Sequence, residues 1–126
     1  LSSPNTADAP IKQKRTELFM QIVTYMETHI SEKLTIEQIC HDNMVGRTQL
    51  QKLFQKECGL GIIEYFSRLK IDTAKHMIRS GKMNFSQIAE KLGYSSVHYF
   101  SRQFKKVTDM SPSEYASSVK AITEGE

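Results

Sequence analysis

From Ile11 to Ile30 the apolar positions Leu18, Phe19, Ile22, Val23, Met26 and Ile30 recur at intervals of three and four, the period of one helix face. The alternation of a strand is absent there. Thr35-Ile-Glu-Gln38 then supplies a helix start, a hydroxyl to cap a backbone N–H with Gln38 placed to reach back, and Asn84-Phe-Ser-Gln87 repeats that arrangement. Between Ile62 and Arg79 there is no proline or glycine, and Ser80-Gly81 marks a stop, so this stretch is predicted to be one long helix. Its apolar positions Ile62, Ile63, Phe66, Leu69, Ile71, Ala74, Met77 and Ile78 cover an arc wider than one packing partner requires, with Arg68, Lys75 and Arg79 opposite and Asp72 among them. Ser111-Pro112-Ser113-Glu114 starts a last helix with a cap, a proline at the first position and an acid at the third. The fold class expected is all-α.

The pattern also repeats itself. Ile36, Gln38, Ile39 and Cys40 correspond to Phe85, Gln87, Ile88 and Ala89 at an offset of 49, and one further residue is then inserted. At an offset of 50, Leu50, Lys52, Phe54, Lys56, Glu64 and Tyr65 match Phe100, Arg102, Phe104, Lys106, Glu114 and Tyr115. Two copies are too few for a solenoid, so the duplication predicts two similar helical lobes joined by the long helix. The organisation expected is a tail over 1–10, a first helix-turn-helix subdomain over 11–58, the linker helix over 59–81, a second subdomain over 82–120 and a short tail over 121–126.

Within each copy a short helix is followed, after a tight turn, by a second helix with two unlike faces, the helix-turn-helix pattern. In the first copy, from about Gly46 to Glu57, Leu50, Leu53 and Phe54 point inward while Thr48, Gln51, Lys52 and Gln55 line the reverse face. In the second, from about Ser96 to Val107, Phe100, Phe104 and Val107 point inward and His98, Ser101, Arg102 and Lys105 outward. The net charge of the 126 residues is only +3, yet Arg47, Lys52 and Lys56 stand on one of these helices and Arg102, Lys105 and Lys106 on the other, with Glu57 the only acid among them. A major groove demands such groups: Arg and Lys reach guanine O6 and N7, Gln pairs with adenine, Ser and Thr serve either. Two readers with centres about 34 Å apart would enter successive major grooves of one duplex. Arg68, Lys75, Arg79 and the backbone N–H groups at the helix starts after Gly61 and Ser111 are candidates for phosphate contacts, which position a reader without specifying bases.

The remaining composition narrows the classes. Apolar residues make up 39% and charged residues 25%, an ordinary globular balance, and no apolar run nears the roughly 18 residues that would cross a bilayer. The chain opens Leu-Ser-Ser-Pro without the basic and apolar regions of a secretory signal, which suggests a piece of a longer protein. Cys40 and Cys58 are expected on the apolar sides of helices as small hydrophobes, in a reducing, cytoplasmic setting. The six methionines, Met20, Met26, Met44, Met77, Met83 and Met110, are expected to fill core gaps. His29, His41, His76 and His98 are scattered without ligand spacing to either cysteine, and neither a nucleophilic triad nor a glycine-rich phosphate loop is present. Metal binding and catalysis are therefore not expected. RNA binding is disfavoured because the stripes offer only Tyr99 for stacking on unpaired bases. A helical module that docks on another protein through the linker or the last helix remains the alternative of a different class.

Three stretches, Ile88-Ala-Glu-Lys-Leu-Gly-Tyr-Ser-Ser96, Tyr99-Phe-Ser-Arg-Gln-Phe-Lys-Lys106 and Met110-Ser-Pro-Ser-Glu-Tyr115, resemble the C-terminal signature of the arabinose-regulator (AraC/XylS) class of bacterial transcription factors. The first copy and the linker align as well, so the resemblance spans roughly Leu34 to Tyr115. It implies two helix-turn-helix lobes bridged by a long helix, binding to double-stranded promoter DNA, no cofactor, and as further partners RNA polymerase and a separate N-terminal sensing or signalling domain. By position it maps the first base-reading helix to Arg47, Thr48, Gln49, Gln51 and Lys52 and the second to Val97, His98, Ser101 and Arg102. The helix wheel favours most of these independently, though not Gln49, and it adds Lys105. The first copy departs from the family where glycine often stands in the turn and serine at the cap, since Met44 and Gly46 occupy those places. A methionine in a left-handed turn is strained, so Asn43 is expected to take that conformation or the turn to be looser.

Overall fold

Where the sequence supplies caps, helices begin. Thr35 accepts a hydrogen bond from the Gln38 amide, Ser96 from that of Tyr99, and at both Asn84–Gln87 and Ser111–Glu114 the two residues bond reciprocally. The computed structural model describes residues 9–124, and these form seven helices: α1 (Ala9–Thr28), α2 (Ile36–Asn43), α3 (Arg47–Glu57), α4 (Ile62–Ser80), α5 (Phe85–Lys91), α6 (Val97–Thr108) and α7 (Pro112–Glu124). The architecture is all-α: two helix-turn-helix units, α2–α3 and α5–α6, connected by α4. Residues 1–8 of the expected N-terminal tail lie outside the described residues, whereas Ala9 and Pro10 already belong to α1. The expected C-terminal tail is helical through Glu124.

The chain divides into two compact units, the first comprising the described residues up to His29 with Leu34–Phe66, the second Ile30–Lys33 with the described residues from Ser67 onward. In the first unit Ile22, Met26, Ile39, Leu50 and Phe54 are fully buried, and Phe19, Phe54 and Tyr65 form an aromatic triangle with centroids 5.0–5.6 Å apart. In the second, Ile71, Ala74, Ile88, Leu92, Phe100 and Phe104 make the core, extended by contacts of Tyr94 with Phe100 and of Phe104 with Tyr115. The duplication is thus visible in the packing: Phe54 meets Tyr65 at 5.4 Å and its counterpart Phe104 meets Tyr115 at 5.6 Å. Burial of each such ring contributes on the order of 1.5–3 kcal/mol.

Several expectations are corrected. Ile30 does not continue the face of α1: the helix ends at Thr28, and Ile30 packs against the core of the second unit. Met20 and Met44 are exposed instead of filling gaps, whereas Met26 is buried and Met77 and Met83 pack against the second core. Ile63, on the broad apolar arc of α4, is exposed. Cys58 is exposed too, because the chain leaves the helix there: it is the C-cap of α3, and its thiol donates to the Phe54 carbonyl at 3.3 Å.

Candidate nucleic-acid interface

Both reading helices are aimed by the same backbone device. At the end of α2 the Val45 amide bonds back to the Cys40 carbonyl (3.0 Å) and the Met44 amide to that of His41 (3.3 Å). At the end of α5 the Tyr94 amide bonds to the Ala89 carbonyl (2.9 Å) and that of Gly93 to Glu90 (3.0 Å). Each is a Schellman closure, which requires one left-handed residue. In the second unit Gly93 takes it, with φ 78°. In the first it falls on Met44 itself (φ 53°, ψ 47°), correcting the expectation that Asn43 would adopt it; Asn43 is the last residue of α2 and donates from its side chain to the Ile39 carbonyl at 2.8 Å. The Met44 side chain is 90% exposed, so no neighbour crowds it and the strain stays local to the backbone. The residue inserted in the second copy lies just beyond this point, where Val45 alone leads to Gly46 but Tyr94-Ser95 leads to Ser96.

On α3, Leu50, Leu53 and Phe54 are buried, and all five mapped residues, Arg47, Thr48, Gln49, Gln51 and Lys52, are exposed. Arg47 is engaged: its guanidinium donates to Glu37 of α2 at 3.0 Å, a surface pair that competing anions can displace. On α6, Phe100 and Phe104 are buried, while His98, Arg102 and Lys105 are exposed. Val97 and Ser101 differ from the rest, being half-buried, and Val97 packs against the second core. The structure therefore brings exposed donors together on one face of each helix, but it turns Val97 partly inward. Tyr99, 40% exposed, leans on Tyr94 at 5.9 Å.

One anchoring residue escaped the sequence reading. Lys70 is only 7% exposed, and its ammonium donates to the Leu92 carbonyl at 2.7 Å, at the C-cap of α5, while lying 5.4 Å from the Tyr94 ring. Its position on the wheel held the signal, since it stands four residues after Phe66 and four before Ala74, within the apolar arc. Burial pushes its pKa down, nearby Lys33 adds to this, and Glu32 opposes it. Tyr94 is pushed up to about 12, first by burial and then by Tyr99. Both bear on the turn that sets α6. Of the candidate phosphate contacts on α4, Arg79 is occupied: it donates to the Tyr115 hydroxyl at 2.7 Å and lies against that ring.

Among the described residues no three His, Cys, Asp or Glu side chains gather where a metal could sit, and no helix is long and apolar enough to cross a membrane. Comparison with known proteins agrees with the geometry. A family model described as a helix-turn-helix domain matches residues 39–118. The raffinose operon transcriptional regulatory protein of Pediococcus pentosaceus is 32% identical over 114 residues, which is 90% of this chain and 41% of that protein. An uncharacterised helix-turn-helix-type transcriptional regulator of Escherichia coli is 31% identical over 98 residues, 78% of this chain and 35% of its own length. The chain thus spans less than half of these relatives. Among solved structures, the C-terminal domain of AraT, a response regulator of Geobacillus stearothermophilus, superposes with a TM-score of 0.73 at 27% identity, covering 80% of this chain and 84% of that one. The AdpA DNA-binding domain, solved in complex with a target DNA, shares the fold with a TM-score of 0.75 at 15% identity, covering 85% and 96%. With two turns of one design, each carrying a helix of exposed donors, and a family match over most of its length, the chain belongs to the AraC/XylS family.

Proposed function

We propose that this chain is the sequence-specific, double-stranded DNA-binding module of a bacterial transcriptional regulator, with α3 and α6 reading successive major grooves. The observation that carries the reading is the matched pair of faces: Thr48, Gln51 and Lys52 on α3 and His98, Arg102 and Lys105 on α6 are exposed on helices whose opposite sides are locked in a core. A helix held in that way presents its donors in fixed register, which direct readout needs. Arg47, Gln49 and Ser101 complete the base-reading set, and Val97 contributes an apolar edge to the start of α6. Regulators such as the raffinose operon protein are more than twice as long as the stretch they share with this chain, and the further partners we propose at the promoter are an N-terminal sensing or signalling domain and RNA polymerase. The setting we assign is the cytoplasm, where the promoter DNA lies. The reading calls for no cofactor and no catalytic step.

Selection of bound sequences from random duplexes tests this directly. Arg102→Ala is expected to weaken binding to the selected site by about 1–3 kcal/mol and to relax discrimination at one base pair. Equal loss on selected and random duplexes would contradict a base contact by Arg102.

A further inference from the structure

Beside the reading face of the first unit lies an open groove of about 360 Å³ between α1 and α3, floored by Leu18 and Leu53 and flanked by Lys14, Lys52 and Lys56. Gln49 stands at its edge. Arg15 also lines it but is neutralised, its Nε donating to Glu57 at 2.9 Å. Glu17, the other acid on this part of α1, accepts from Gln13. Lys14, Lys52 and Lys56 are paired with no acid among the described residues. Three lysines thus line one groove with no acid paired to them among the described residues, a lining whose chemistry suits an anion.

We propose that this groove binds the phosphate backbone of the DNA duplex, making the basic start of α1 a second gripping element beside the reading helix. The inference rests on the DNA-binding reading and deepens it. Continuity decides for a duplex over a small anion or an acidic peptide: Gln49 and Lys52 belong both to the groove and to the base-reading set, so a strand leaving the major groove around α3 runs next along Lys56 and Lys14. Lysine suits the task, as a point charge on a flexible stem that follows a phosphate without demanding one geometry. Each phosphate neutralised releases condensed counterions, so the contacts add affinity and salt dependence without adding sequence preference.

The test uses the full chain and its Lys14→Gln/Lys56→Gln variant, both side chains being exposed and outside the base-reading set, with thermal melting to verify that the fold is retained. Binding is titrated with salt on a random-sequence duplex of about 30 base pairs, three helical turns, and on a selected site. The variant is expected to bind both duplexes several-fold more weakly, by equal factors, with the slope of log affinity against log salt reduced by about 0.9 per lysine. Unchanged affinity and slope while the parent chain still selects its site would overturn the groove proposal and leave the DNA-binding reading intact. Salt-dependent binding without any selected sequence, still weakened in the variant, would do the reverse, and failure of the parent chain to bind duplex would sink both. If DNA binding is unchanged but binding of an oligoglutamate peptide is lost, the groove belongs to an acidic protein segment and the proposal is wrong.

Discussion

The two helix-turn-helix units close their turns with identical hydrogen bonds but brace them differently. In the second, Gly93 takes the left-handed position, and a Cβ there would collide with the Ser31 carbonyl; Lys70 caps the Leu92 carbonyl beside it, and the Ser96 hydroxyl caps the start of α6. In the first, Met44 takes the same position in open solvent, and Gly46 begins α3 with no side-chain cap. One step further along, the roles exchange: α3 is followed by Gly59 at φ 71°, while the equivalent Asp109 after α6 takes φ 64°. The shared backbone design tolerates a side chain wherever the left-handed residue faces water and requires glycine where another strand of chain passes close by. The second reader is therefore fixed by specific bonds, the first mainly by its core.

The largest expected effect follows from that difference. Gly93→Ala should destabilise the second unit by about 2–5 kcal/mol, the sum of left-handed strain and a clash with backbone that cannot swing away, measurable by urea unfolding. A cost no greater than that of an ordinary surface change would mean the close approach to Ser31 is not rigid. Lys70→Met comes next, at about 1–3 kcal/mol, because the Leu92 carbonyl loses its donor; alongside lost stability, α6 should bind its half of the site more weakly. Tyr94→Phe sharpens the comparison through pH. The fold favours the un-ionised Tyr94 phenol, so its contribution is complete below the ordinary value of 10.0 and is lost as pH climbs through about 12. Lys70 acts with the opposite sign, since its depressed pKa makes the fold gain as pH rises towards the ordinary 10.5. Stability followed from pH 9 to pH 12 should thus fall less steeply in Tyr94→Phe than in the parent chain; parallel curves would mean the phenol titrates normally. Smallest, Met44→Gly should raise stability by up to about 1 kcal/mol, as strain is released and little packing is lost. A loss there would show that the Met44 side chain makes contacts in solution.

Much of this contrast was already written in the order of residues. The caps at Thr35, Asn84, Ser96 and Ser111, the stop at Gly81 and the inward triads of α3 and α6 depend on neighbours within a helical turn or two, which a periodic pattern reports faithfully. The exposed donors followed, because once the inward face is known the outward one is its complement. The misses depend on distant partners. The role of Lys70 was not legible because its acceptor, the Leu92 carbonyl, lies 22 residues away. The partial burial of Val97 was not legible either, because it sits at the first position of α6, where a helix wheel has no preceding turn to fix its direction. Gly93 suggested a turn, but not the Ser31 carbonyl that makes its side chain impossible. Lys14 joined the groove only when α1 was laid beside α3.

The segment Ile30–Lys33 is read in line with the first unit and spent in the second. Dissection therefore has no clean cut: a fragment opened inside α4 would leave Ile30's seat vacant and remove the wall against which Gly93 rests. A chimera that swaps the second reader for a relative's must therefore carry this short stretch along with it.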